Sequence, residues 1–303
     1  MVNVAEALTG ISGILVTPFD EADALAPKLL EPVVTRAVQA GVHLLTVNGN
    51  TSEFYGLLAE EAEAMVGAVC EVVDGRAPVI GGVGRSIGEA ERLAAASAKA
   101  GVSAIMIHQP PDPFVSPRGL KDYVARVADA APDMPLILYL RNDAIGTKAI
   151  EALCRIPAVV GVKWATQNPQ KLAAAKAAAP DHIVWVGGLA EVWAPNFYAV
   201  GARGFTSGLI NVWPERSVAI HQALESGQNG KAARLIDEMR VFEDIRAEEM
   251  GGTNVTGVKT ALAMLGMDCG PTRPPSAWPL TKDQTERLRA FLMRHGLLEE
   301  TEE

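Results

Sequence analysis

A single lysine ends an otherwise apolar run, Val159-Val160-Gly161-Val162-Lys163-Trp164. Lysine is uncommon in buried strands, and partial desolvation lowers an amine's pKa toward that of a usable nucleophile. An amine at a strand end can instead simply reach solvent along its own stem. The run Leu136-Ile137-Leu138-Tyr139-Leu140-Arg141 also ends in polar groups. Strand side chains alternate, so Tyr139 and Arg141 share a face for as long as the strand continues. A phenol beside an amine on the next strand can move protons during imine formation, although a strand tyrosine also serves as core with its hydroxyl satisfied. If Arg141 reaches the same place, its guanidinium can hold a distal carboxylate by two hydrogen bonds. The third candidate is Asn48-Gly49-Asn50-Thr51-Ser52-Glu53. Its backbone N–H groups and the side chains of Asn50, Thr51 and Ser52 can hold a carboxylate, or the segment is a plain turn in which Thr51 or Ser52 caps the next helix.

Something must bring these residues together, and the patterning of the chain supplies it. Short apolar, β-rich runs alternate with Ala-rich stretches of helical period, the signature of repeated βα units and a parallel sheet. Strands are predicted at residues 14–17, 44–48, 78–82, 104–108, 136–140, 159–163, 183–187 and 204–207. Helices are predicted at 29–39, 60–73, 88–100, 120–130, 149–155, 169–178, 192–200 and 215–225. Eight such units predict an α/β fold, a (β/α)8 TIM barrel occupying 1–226, which places all three candidates at C-terminal strand ends, where such barrels hold their active sites. Helices predicted at 231–250, 258–265 and 282–295 form a C-terminal helical appendage, 227–303, with a Pro- and Gly-rich connector at 266–279. The last residues, 299–303, read as a solvated acidic end.

Composition narrows the function. With 303 residues, 49% of them hydrophobic, the chain can bury one large core, and a net charge of −9 leaves no basic stripe for nucleic acid. Cys70, Cys154 and Cys269 fit neither a disulfide framework nor paired zinc spacing, so a reducing cytoplasm is expected. No run reaches the roughly 20 apolar residues that a membrane span needs, and residues 1–9, with Glu6 among them, lack the character of a signal peptide. His43, His108, His182, His221 and His295 show no metal-ligand pairing. Gly82-Val83-Gly84 lacks the spacing of a dinucleotide loop.

In order and spacing, these residues resemble the dihydrodipicolinate synthase and N-acetylneuraminate lyase family of barrel enzymes that act through a lysine imine. The resemblance runs through Val16-Thr17-Pro18-Phe19, Gly49-Asn50-Thr51-Ser52-Glu53, Tyr139, Gly161-Val162-Lys163, Gly201–Ser207 with Asn211, Val258-Lys259 and Gly270–Pro275. It implies that Lys163 forms the imine with a 2-oxo acid, that Tyr139 relays protons and that the Asn50-Thr51 turn grips the carboxylate. It also implies that Gly188 and Thr206 line the same mouth, that no metal or organic cofactor is needed, and that the chain forms a homotetramer, a dimer of dimers. Departures point to the substrate. Ala144 stands where the synthases carry an arginine, Asn50 where the family often has a hydroxyl, and Pro110-Pro111-Asp112 where a second relay tyrosine would be. Glu53-Phe54-Tyr55, Pro110-Pro111 and Tyr139-Leu140-Arg141-Asn142 are similar to the 5-dehydro-4-deoxyglucarate dehydratase branch, whereas Trp164-Ala165 replaces its usual Asp-Gly. The expectation is a dehydratase acting on a 2-keto-3-deoxy sugar acid. The alternatives are a pyruvate-releasing aldolase, a pyruvate-condensing synthase and a keto-acid-binding protein without turnover.

Overall fold

The computed structural model describes residues 3–299, so the acidic end beyond Glu299 lies outside the described residues. Eight parallel strands close into a barrel in sequence order. They are β1 (Ile11–Ile14), β2 (Leu44–Val47), β3 (Val79–Val83), β4 (Ala104–His108), β5 (Leu136–Leu140), β6 (Val159–Trp164), β7 (Val184–Gly187) and β8 (Phe205–Ser207). A short helix, α1 (Val4–Ala7), precedes the barrel. Around it lie α2 (Glu31–Ala40), α3 (Ala59–Val73), α4 (Ile87–Ala100), α5 (Pro117–Ala130), α6 (Thr147–Cys154), α7 (Pro169–Ala178), α8 (Ala190–Tyr198) and α9 (Pro214–Glu225). After them come α10 (Asn229–Gly251), α11 (Asn254–Met264) and α12 (Lys282–Arg294). Among the described residues no helix is long and apolar enough to cross a membrane.

Two apolar layers hold the barrel. The larger lies between strands and helices and takes the outward strand residues, among them Leu45, Val47, Ile105, Ile107, Leu138 and Val162. The smaller fills the barrel with Leu44, Ile80, Ala104, Met106, Ile137, Tyr139 and Val186, and Val4 and Leu8 join it from the N-terminal side. Period-two alternation thus assigns each strand residue to one layer. Leu8 closes the floor against Gly161, where an added Cβ would lie 2.9 Å from Leu8 Cδ1.

The first strand begins three residues before its expected start, at Ile11. Ser12 and Gly13 interrupt the apolar run that would have revealed it, yet each has a place. Ser12 is buried in the bore, and Gly13 leaves room for Ile210, whose Cγ1 an added Cβ would approach to 2.8 Å. Near its end, α10 is broken: Glu248 is extended, and Glu249, Met250 and Gly251 follow with positive φ of 52°, 59° and 81°. Thr253 Oγ1 donates to the carbonyls of Ile245 and Glu248 across the break, at 2.6 and 3.0 Å.

Candidate active site

Lys163 and Tyr139 point into the bore from neighbouring strands and are direct register partners. Both are buried, and Lys163 Nζ lies 3.8 Å from the centre of the Tyr139 ring. Burial first, and the Arg141 charge second, lower the Lys163 pKa to about 7, so much of the amine is neutral near neutral pH. Burial raises the Tyr139 phenol to about 12 and keeps its proton on it. Asn50 Nδ2 donates to Tyr139 Oη at 2.9 Å, which leaves the phenolic proton free to serve another acceptor. An amide cannot pass a proton on as a hydroxyl can, so the phenol has no relay partner at Asn50.

Gly188 makes this placement possible. An added Cβ would stand 3.0 Å from Lys163 Cγ and 2.7 Å from the Trp164 carbonyl oxygen. Its N–H is already given to that carbonyl at 2.7 Å, so Gly188 contributes space and not a hydrogen bond.

The turn after β2 is braced from within. Ser52 Oγ donates to the Leu15 carbonyl at 2.6 Å and accepts from Gly49 N–H at 3.0 Å. Ser52 is therefore part of the turn's frame and does not line the cavity, contrary to the expectation that it would hold substrate. The N–H groups of Ser52, Glu53 and Phe54 are spent on carbonyls of the turn, whereas those of Asn50 and Thr51 have no acceptor among the described residues. Two adjacent N–H groups without an acceptor, on residues that line the cavity, are the kind of donor set that can hold an anion.

His108, which has no metal-ligand pairing in the sequence, belongs to the site's frame. It is the register partner of Tyr139 on β4, and its Nε2 donates to the Asn48 carbonyl at 2.8 Å, anchoring the start of the turn after β2. Its Nδ1 lies 3.4 Å from Tyr55 Oη. Burial, reinforced by the Lys163 charge, lowers its pKa to about 3, so the ring is neutral. Gly82 gives it room, since a Cβ there would meet the Asn48 carbonyl oxygen at 2.2 Å and His108 Nε2 at 3.0 Å. The signal available in the sequence was its inward position at a strand end.

Lys163, Tyr139, Asn50, Thr51, Gly188 and Thr206 all line one cavity of about 550 Å³. Arg141 does not. The strand ends at Leu140, because Gln109 Oε1 accepts the N–H groups of both Arg141 and Asn142, at 2.8 and 2.7 Å, and turns the chain. The alternation that put Arg141 beside Tyr139 stops there, and Arg141 is exposed on a neighbouring groove with Pro110, Pro111 and Asn142. The cavity's outer half comes from helices that strand-end reasoning missed: Trp193 and Asn196 on α8, Arg240, Glu243, Asp244 and Arg246 on α10, and Asn254 on α11. Among the described residues no group of three or more His, Cys, Asp or Glu side chains is placed to hold a metal ion.

This geometry coincides with a match to the Dihydrodipicolinate synthetase family over residues 7–295. The chain belongs to that family. It is 31% identical over 276 residues to a probable 5-dehydro-4-deoxyglucarate dehydratase of Streptomyces avermitilis, covering 88% of this chain and 87% of that protein. It is 32% identical over 294 residues to a 4-hydroxy-tetrahydrodipicolinate synthase of Methanoculleus marisnigri, covering 95% and 99%. The crystal structure of dihydrodipicolinate synthase from Oceanobacillus iheyensis superposes with a TM-score of 0.92 at 35% identity, covering 97% of this chain and 98% of that one. Family membership makes the chain a Schiff-base lyase, and relatives of both the dehydratase and the synthase kind stand at similar distance from it.

Proposed function

We propose that the chain dehydrates a 2-keto-3-deoxy sugar acid through an imine on Lys163. The observation that carries this reading is the neutral-leaning, buried Lys163 amine over the Tyr139 ring, in one cavity with the free N–H groups of Asn50 and Thr51. Those N–H groups take the substrate carboxylate, which brings the adjacent keto carbon to the amine. Lys163 adds to that carbon, Tyr139 gives its proton to the departing carbonyl oxygen, and water leaves as the imine forms. The iminium withdraws electrons, C3 loses a proton to give the enamine, and the enamine expels the C4 hydroxyl as a second water. Hydrolysis of the resulting imine frees Lys163.

Against a pyruvate-condensing synthase stands Ala144, which offers no cation for a second substrate at the position where the synthases of this family carry arginine. An aldolase would share every step to the imine and then break the C3–C4 bond, releasing pyruvate. Borohydride reduction with pyruvate and with 2-keto-3-deoxy sugar acids, followed by peptide mass spectrometry, tests the imine. The expected adduct lies on the peptide containing Lys163 and is absent from Lys163→Ala. Release of pyruvate from the sugar acids would replace dehydration by retro-aldol cleavage, and no adduct with any keto acid would remove the imine at Lys163.

A further inference from the structure

The bore is stopped on its N-terminal side by Val4 and Leu8, and a void of about 10 Å³, room for about one water, is lined by Leu8 and Lys163 alike. The stretch that leads from this plug into β1 is tied down by two imidazole rings. His43, just before β2, accepts the Ile11 N–H on Nδ1 at 3.1 Å. His221 of α9 donates from Nε2 to the Thr9 carbonyl at 3.0 Å. The rings stand edge to face with centres 4.7 Å apart. Gly10 lies between the two tied residues, and a Cβ there would fall 2.1 Å from His43 Cγ, so the chain is laid directly on that ring. A third tie, from the Phe205 N–H to the Gly10 carbonyl at 3.2 Å, is backbone only and does not titrate.

The two rings respond to a proton in different ways. Nδ1 of His43 accepts only while it is bare, and a proton there would meet the Ile11 N–H donor to donor. His221 can take a proton on Nδ1 and still donate from Nε2. Around the pair, α9 brings Glu225, the turn before β8 brings Arg203, which pairs with Glu225, and α8 brings Tyr198, whose hydroxyl accepts the Gly204 N–H at 2.9 Å. Glu6 of α1 is exposed. Burial first, and His221 second, lower the His43 pKa below the usual histidine value, and the Glu225 charge opposes them in part. The folded chain therefore prefers His43 neutral, so the tie is complete above about pH 6.5 and is lost as the pH falls below it.

We infer that His43 and His221 form an acid-released latch on the barrel floor: with His43 neutral they hold the plug in place, and a proton on His43 frees the stretch from Thr9 to Ile11 and unseats Leu8 from Gly161. An unseated plug lets water reach Lys163 from below, so the latch also guards the dry surroundings on which a neutral amine depends. His221, by repelling a proton from its neighbour, sets the release at a lower pH than His43 alone would.

Hydrogen exchange read by mass spectrometry on the full-length protein, at pH 7.5 and pH 5 with each rate corrected for its intrinsic value, follows the latch. Exchange in the peptide that joins α1 to β1 is expected to quicken by about tenfold at pH 5 relative to peptides of the other strands. His43→Asn puts an amide oxygen where Nδ1 stands, keeps an acceptor for Ile11 and cannot titrate, so the quickening should vanish. His43→Phe has no acceptor and should exchange quickly at both pH values. His221→Gln keeps a donor for Thr9 but takes away the charge that repels a proton from His43, so release should move to higher pH. An unchanged rate in the wild type between the two pH values, or equal quickening in His43→Asn, would overturn the latch. A release that stayed in place or moved lower in His221→Gln would overturn the part assigned to His221.

Discussion

At the scale of single residues, the site depends on an amine that the fold keeps partly neutral. Burial lowers Lys163 to about 7, so kcat/KM for a keto acid should rise with pH through a limb near that value, since the unprotonated amine is the proposed nucleophile. The same shift has a sign in stability. The folded lysine releases its proton near pH 7 and the unfolded one near about 10.4, so between these values the unfolded chain holds more protons and stability rises with pH. Lys163→Met should remove that slope in denaturant titrations at pH 7 and pH 9. Tyr139→Phe removes the proposed proton donor but keeps the ring over the amine, so kcat should fall by about 10²- to 10⁴-fold while borohydride still traps an adduct. A variant that turned over normally would take Tyr139 out of the proton path.

At the scale of elements, the turn proposed to hold the carboxylate is braced by Ser52 and His108, neither of which lines the cavity. Ser52→Ala would leave the Leu15 carbonyl and the Gly49 N–H without their partner, at a cost of about 1–3 kcal/mol in unfolding free energy. His108→Phe would release the Asn48 carbonyl, and the expected result is a rise in KM for a 2-keto-3-deoxy sugar acid of about tenfold with less change in kcat. Much of this level was legible in the sequence. The fourth and fifth strands begin and end where their apolar runs do, at Ala104–His108 and Leu136–Leu140, because uninterrupted β-rich runs leave little choice. The first strand was read late because its Ser12 and Gly13 answer to neighbours far away in sequence. Arg141 was read inward because alternation gives no warning of where a strand stops, and here a side chain on another strand's end, Gln109, stops it. Ser52 carries the right atoms for binding substrate but spends them on Leu15 and Gly49. The α10 wall gave no local signal at all, since a helix periodic in its own burial does not disclose which cavity its polar face borders.

At the scale of the whole molecule, the turn after β2 and the C-terminal helices are joined through buried charge. Glu53, at φ 56° in the turn, pairs with Lys259 of α11 at 2.7 Å, and its other oxygen accepts the Arg273 N–H at 2.9 Å. Lys259 Nζ also donates to the Pro271 carbonyl at 2.7 Å. Removing one partner of such a pair strands the other, so Lys259→Met should cost about 3–5 kcal/mol in chemical denaturation. The double change Glu53→Gln with Lys259→Met should recover part of it, and a strictly additive loss would show that the two charges do not depend on each other. Substrate held in the turn should likewise slow amide exchange in α11, since both ends of the pair become harder to open.

The closed floor made by Val4 of α1 and by Leu8 just after it has a further consequence for traffic through the enzyme. With Leu8 seated against Gly161, the bore below the lysine is a dead end, and everything that reaches Lys163 must arrive and depart by the same door. Substrate cannot enter behind an outgoing product, so the two must queue, and each occupant excludes the next. Steady-state kinetics should therefore show the product as a competitive inhibitor against its own substrate.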